Sequence, residues 1–388
     1  MKTCQLCLLN SNYRNIKFDK DGICNYCRTY SFYKDRLTDF NYNKRLLEDR
    51  FNSIRGKYDY DCLVGISGGK DSSYLAWQLK NKYGLRILTF TFDNGFLTDY
   101  AKRNIEIVIK KLNVDHFFHR TDWNIHKEFY RQAVLHFGYP CPACAYSSYA
   151  FMNKLAFEKK IPFCVHGRSR AQMFKELLNK SIDPFLPFIK NNLSTYSIEK
   201  NKETALKALR RLEYLLKKII KDSNLRQAFY KDFYPDIEEY KKSNFAPEFL
   251  GYFLYEKYDE KKITKVLEEE LHWVKPEDSR ILTHSDCLVH DAAMYLYNQV
   301  FGYSLLSLEL SVMIREGVIT REDAENRLNS ERCLSEIPNK SLDILCEKCN
   351  IKRKDINRII SGAKKRHELL KLALKFKYIF HKPHRLDF

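Results

Sequence analysis

The chain has 388 residues, 44% of them hydrophobic, and its Lys and Arg outnumber Asp and Glu by 67 to 49 for a net charge of +18. No stretch reaches the roughly 20 uninterrupted apolar residues of a membrane helix, and the opening residues lack an apolar signal segment, so a soluble, cytoplasmic protein with no membrane partner is expected. The basic balance suits polyanions such as nucleic acid or acidic and nucleotide-activated sugars, although a Lys- and Asn-rich composition alone would produce it.

In chain order, residues 1–30 read as a small cysteine-rich module and residues 31–57 as a helical linker, with a helix from about Ser31 to Ile54. The apolar run Tyr60–Ile66, bounded by Asp and by a Ser-Gly-Gly turn, reads as a buried strand. A helix follows over Ser72–Tyr83 and stops at Gly84; Leu85–Phe92 is a second strand that runs into Asp93-Asn94-Gly95. Asp99–Leu112 is a helix, Val114–His119 a third strand and Ile161–His166 a fourth. Strands alternating with helices over 58–175 predict βαβ units and a parallel sheet, hence an α/β fold. Residues 176–275 read as a helical insertion, with Leu206, Leu209, Leu212, Leu216 and Ile219 on one face. A fifth strand is expected at Arg280–His284, within a last segment, 276–388, that is otherwise helical and ends in a basic helix over Lys364–Lys377.

The turn between the first strand and its helix, Gly65-Ile-Ser67-Gly68-Gly69-Lys70-Asp71-Ser72, carries the strongest chemical signal. Glycines let consecutive N–H groups converge on one anion, and a helix N-terminus adds partial positive charge. Lys70 offers a mobile ammonium, Ser67 and Ser72 offer hydroxyls, and Asp71 beside an anion site implies a cation such as Mg²⁺. A Walker A loop is excluded, because Gly65 to Lys70 falls one residue short and Asp71 replaces the hydroxyl residue.

The run S-G-G-K-D-S resembles the signature of the PP-loop ATP pyrophosphatases. That resemblance implies a five-stranded parallel sheet of the adenine nucleotide alpha hydrolase-like type, with ATP held by Gly65, Ser67, Gly68, Gly69, Lys70, Asp71 and Ser72. It implies attack on the α-phosphate and departure of pyrophosphate, with Lys70 and Asp71 in catalytic roles. It also assigns adenine to the end of the second strand, at Phe92 and Asp93, and phosphate contacts to Gly167 and Arg168 after the fourth.

Twelve cysteines in such a chain argue for metal or redox chemistry rather than disulfides. Cys4, Cys7, Cys24 and Cys27 have the spacing of a Cys4 zinc ribbon, and four thiolates make a closed, structural Zn²⁺ site. Cys141 and Cys144 leave three readings open: a structural pair, a redox or persulfide-carrying pair, or ligands of a [4Fe-4S] cluster completed by Cys287, with Cys164 as runner-up. In PP-loop tRNA-thiolating enzymes a CxxC and a later Cys act in this way. Cys346 and Cys349 read as core residues on one helical face.

The order of motifs is similar to that of bacterial N-acetyl sugar amidotransferases of surface-polysaccharide and flagellar-glycan pathways, including pseudaminic acid biosynthesis. It runs from Phe18-Asp19, Gly22, Cys24 and Cys27 through the Ser67 loop to Thr98, Arg103-Asn104-Ile105 and Gly317-Val-Ile-Thr-Arg-Glu-Asp-Ala324. Membership would imply adenylation of the N-acetyl oxygen of a small-molecule sugar acceptor, then displacement of AMP by ammonia from a separate glutaminase subunit. The alternative is an iron–sulfur PP-loop thiolase acting on tRNA or a small molecule.

Overall fold

The computed structural model describes residues 2–13, 15–174, 198–275, 286–331 and 336–380. Its centre is a five-stranded, all-parallel sheet in the order β3-β2-β1-β4-β5. The strands are β1 (Cys62–Gly65), β2 (Ile87–Asp93), β3 (Asp115–Arg120), β4 (Phe163–His166) and β5 (Glu248–Gly251). The α/β class and the five parallel strands expected from the sequence are therefore present.

Side-chain alternation along the strands builds two cores. Cys62, Val64, Phe163 and Val165 face one layer with Leu75, Leu79, Ile105 and Val108. Leu63, Leu88, Phe90 and Cys164 face the other with Phe129, Phe151, Leu155 and Leu212. The stripe on the helix Ile198–Ile219 joins this second layer through Leu209, Leu212, Leu216 and Ile219. Cys346 and Cys349 are buried in the same layer.

The fifth strand departs from expectation. Arg280–His284 lies outside the described residues, and β5 is Glu248–Gly251, inside the stretch expected to be wholly helical. It pairs with β4 in parallel, Phe163 opposite Glu248 and His166 opposite Gly251. Its four residues, Glu-Phe-Leu-Gly, are too short and too mixed to signal a strand locally; pairing with β4 makes it one.

The chain lays β1, β2 and β3 to one side and then returns to place β4 and β5 on the other. The winding reverses between β1 and β4, so the loops after these two strands diverge and open a crevice at their C-terminal ends, which is where open α/β sheets take ligands.

Candidate functional site

The loop Ile66–Gly69 leaves β1 at this switch point and leads into the helix Lys70–Trp77, with Gly69 as its N-cap. The turn is held by its own hydroxyls: the Ser67 N–H donates to Ser72 Oγ at 3.2 Å, and Ser73 Oγ donates to the Gly69 carbonyl at 2.9 Å. Gly68 has φ +80°, and a Cβ there would lie 2.2 Å from the Ala101 carbonyl oxygen, so only glycine fits. The Gly68 carbonyl is fixed from outside the loop, by Trp273 Nε1 at 3.0 Å and Asn104 Nδ2 at 3.4 Å.

Lys70 does not present a mobile charge. Its side chain is 3% exposed, and the ammonium donates to Asp71 Oδ1 at 2.9 Å and to the Tyr258 hydroxyl, with Glu260 Oε1 at 3.5 Å. Burial alone would lower its pKa, but Asp71 and Glu260 more than offset that, so the pKa rises. Tyr258 donates its own proton to Asp71 Oδ1 at 2.9 Å. Two donors converge on this oxygen, while no hydrogen bond among the described residues reaches Oδ2. An acceptor-only carboxylate with one uncommitted oxygen at the crevice fits a hard cation such as Mg²⁺.

The β2 and β4 ends flank the loop. The Ile66 N–H donates to the Phe90 carbonyl at 2.8 Å and Thr91 Oγ1 to the Ile66 carbonyl at 2.8 Å, so the start of the loop is tied to β2 on both sides. Phe92 packs in a cluster with His119, His126 and Phe233, and Asp93 accepts from Arg120 Nε at 3.0 Å. Gly167 lies so close to the helix Lys70–Trp77 that a Cβ would sit 2.8 Å from the Asp71 carbonyl oxygen. Arg168, two residues past β4, contacts Tyr149. Arg170, in the same basic segment, is a structural residue: it is buried, donates to Glu316 Oε1 at 2.7 Å and to the Leu37 carbonyl at 3.1 Å, and lies over the Phe174 ring.

The structure brings the other cysteine candidates to the same mouth. Cys141 and Cys144 open the helix Cys141–Glu158. Cys287 pairs with Leu97 in an antiparallel bridge, and the Thr98 N–H donates to the Asp286 carbonyl at 3.1 Å, which fastens this segment beside the loop after β2. Cys144 Sγ accepts from Asn94 Nδ2 at 3.5 Å. Desolvation raises the Cys287 thiol, and the neighbouring charges that add to it include Cys144 and Cys141, so the three sulfurs lie within electrostatic reach. Cys164, the runner-up, is buried on β4, its Sγ directed at the Met152 carbonyl. Asp286 itself approaches the Ser67–Ser72 loop: a Cβ on Gly69 would lie 3.6 Å from its Oδ2.

Cys4, Cys7, Cys24 and Cys27 form the single tight cysteine group among the described residues, all four sulfurs within 4.8 Å of one another. Tetrahedral Zn–S bonds of about 2.3 Å place sulfurs about 3.8 Å apart; here Cys4 and Cys27 are 4.0 Å apart and Cys7 and Cys24 3.8 Å. The donor set and its size fit a metal ion. Hydrogen bonds from Cys24 and then Cys27 push the Cys4 and Cys7 thiols down, while contacts within the same group push the Cys24 and Cys27 thiols up. Arg315 closes the site from the helix Leu305–Glu316, its Nε 3.3 Å from Cys27 Sγ and its Nη2 3.6 Å from Cys7 Sγ. Arg321 Nη1 donates to the Cys4, Gln5 and Cys7 carbonyls at 2.6 to 3.0 Å.

Sequence reading missed Tyr258, Glu260, Asp286, Trp273 and Arg315. Asp286 adjoins Cys287 and Arg315 precedes the Gly317–Ala324 motif, so proximity to a motif was a signal; the other three carried none.

The family model described as LPS biosynthesis protein WbpG-like, C-terminal domain, matches residues 289–377. An uncharacterized protein of Methanocaldococcus jannaschii is 21% identical over 335 residues, covering 86% of this chain and 95% of that protein. Among solved structures, the U34-tRNA thiolase NcsA from Methanococcus maripaludis with its [4Fe-4S] cluster is similar at 13% identity and a TM-score of 0.34, covering 91% of this chain and 99% of that one. The NMN synthetase from Francisella tularensis is similar at 13% identity and a TM-score of 0.22, covering 61% of this chain and 98% of that one. No described helix is long and apolar enough to cross a membrane.

Proposed function

We propose that the chain is an ATP-dependent amidotransferase that converts the N-acetyl group of a bacterial surface or flagellar glycan sugar, of the pseudaminic acid type, into an acetamidino group. The observation that carries this reading is the pairing of the Ser67–Ser72 loop at the sheet's switch point with a WbpG-like C-terminal domain over 289–377.

ATP would lie across the strand ends, adenine toward Phe92 and Asp93 and the phosphates over Ser67–Ser72. The acetamido oxygen attacks the α-phosphorus, its bond to the β-bridging oxygen breaks, and pyrophosphate departs onto the loop N–H groups. Ammonia then adds to the activated carbon, AMP leaves with the C–O bond, and a proton is lost to give the amidine. Mg²⁺, when bound, would neutralise charge on the phosphates, and Asp71 is the residue suited to hold it. Arg168 and Gly167 would approach the phosphates from β4. Ammonia would come from a separate glutaminase subunit. Zn²⁺ at Cys4, Cys7, Cys24 and Cys27 would be structural.

The test is incubation with ATP, Mg²⁺, ammonia and a panel of acetamido sugars, with AMP, pyrophosphate and product mass as readouts. A mass change of acetamide to amidine supports the reading; pyrophosphate release indifferent to every sugar counts against it.

A second reading is favoured by one observation, the gathering of Cys141, Cys144 and Cys287 at the mouth of the crevice. Three thiolates there suit a [4Fe-4S] cluster, and with the +18 charge they suit thiolation of tRNA or a small molecule. Iron and sulfide analysis after anaerobic purification separates the two: a colourless protein with zinc alone and no salt-sensitive tRNA binding leaves the amidotransferase.

A further inference from the structure

We infer that Tyr258 is a positioning residue for Asp71, and that Lys70 serves as counter-ion to the Asp71–Glu260 pair rather than as a ligand of the triphosphate. The inference rests on the reading of the Ser67–Ser72 loop as an ATP site.

The helix Lys70–Trp77 begins with two ionisable residues that would ordinarily diverge from it. Here they are drawn together by a segment almost 190 residues away in sequence. The Tyr258 hydroxyl and the Lys70 ammonium both donate to the same oxygen, Asp71 Oδ1, at 2.9 Å each. Glu260 Oε1 takes the ammonium's other side at 3.5 Å. The Lys70 ammonium meets the Tyr258 ring at its hydroxyl end, 5.2 Å from the ring centre, and that ring packs edge-on against Phe253 at 4.9 Å. That packing keeps the phenol oriented toward Lys70 and Asp71.

Three consequences follow from the chemistry. A carboxylate whose Oδ1 is saturated by two donors has one rotamer, and Oδ2 is left as the oxygen for a cation. An ammonium committed to a carboxylate, a phenol and a second carboxylate has its three protons spoken for. The second carboxylate matters because Lys70 alone would cancel Asp71's charge; with Glu260 the group keeps a net negative charge and can still attract a divalent cation. Tyr258 and Glu260 flank Asp259, the N-cap of the helix Glu260–Val266, so the phenol and the carboxylate are delivered by one rigid turn.

The experiment is ATP binding by the intact protein, measured by calorimetry across a Mg²⁺ titration and again in EDTA. Tyr258→Phe keeps the ring packing and removes two charged hydrogen bonds, the one given to Asp71 and the one accepted from Lys70, and the Mg²⁺ midpoint should move up by about tenfold. ATP binding in EDTA and the thermal midpoint of the nucleotide-free protein should stay near wild type. Glu260→Gln leaves Asp71 as the carboxylate beside the ammonium and should move the midpoint the same way. Lys70→Met should lower the thermal midpoint of the nucleotide-free protein by leaving Asp71 and Glu260 without a counter-ion, whereas a lysine that served only as a ligand of the triphosphate would leave it unchanged. An unchanged Mg²⁺ midpoint in Tyr258→Phe, or a loss of ATP affinity in EDTA equal to the loss in Mg²⁺, overturns the positioning role. Wild-type protein that binds no ATP overturns the nucleotide reading itself.

Discussion

Arg315 Nε stands 3.3 Å from Cys27 Sγ, joining residues 288 positions apart, and the adjacent Glu316 binds Arg170 at 2.7 Å on the loop after β4. One helix end therefore touches both the four-cysteine site and the segment that carries Gly167 and Arg168. The four-cysteine module packs on the C-terminal helices: Cys4 and Cys7 share one cluster with Tyr297 and Leu308.

Removing Arg315 should weaken metal retention. Four thiolates around one divalent ion carry a net negative charge, and Arg315 is a buried cation placed to offset it. Arg315→Met is expected to speed zinc loss to a chelator by about 10- to 100-fold, the usual range for partners of metal ligands. Zinc release followed with a colorimetric dye checks this, and equal release rates would show Arg315 to be mere packing.

Gly68→Ala should disable the loop. The φ of +80° and a Cβ 2.2 Å from a backbone oxygen leave no room for relaxation by a side chain. The expected cost is at least about 2 kcal/mol of stability, with loss of ATP binding even in the folded fraction. Urea unfolding and calorimetry on the same sample measure the two effects.

Arg168 and Arg170 should separate cleanly. Arg170 and Glu316 form a buried pair, so Arg170→Met strands a carboxylate and should cost about 3–5 kcal/mol. Arg168, half-buried near Tyr149, should tolerate Met with little change in stability while ATP affinity falls. A destabilised Arg168→Met with normal ATP affinity would reverse the assignment.

Stability should fall with acid earlier than carboxylates alone would cause. Burial holds His126 down to about 3, and burial holds His116 down to about 4. The native rings therefore bind fewer protons than the unfolded chain, whose histidines titrate near 6.5. Their stability is intact above about pH 6.5 and drains as the pH falls toward 3, with His126 accounting for the order of 4 kcal/mol at the acid end. His126→Phe, which keeps the contacts with Phe92 and Phe233, should give a shallower decline between about pH 6.5 and 4 in urea unfolding.

The sequence alone determined the parts whose signals are local. A buried apolar run ending in Ser67-Gly68-Gly69 is a strand and a turn whatever surrounds it, because only glycine takes the required backbone. Cys4, Cys7, Cys24 and Cys27 declare a closed site by spacing, since each pair lies on one tight turn. The alternation of strands and helices through His166 fixed the α/β class.

Tertiary structure alone decided the rest. Glu248–Gly251 became the fifth strand only because β4 offered an unpaired edge, and nothing in four mixed residues announces that. Arg168 and Arg170 are indistinguishable as letters, yet one is half-buried beside Tyr149 and the other anchors Glu316. Lys70 looked like a free charge beside an anion site until Tyr258 and Glu260, far along the chain, claimed it. A side chain's role depends on the partners that reach it, and partners separated by nearly 190 or 288 residues are chosen by how layers pack, which no local window of sequence records.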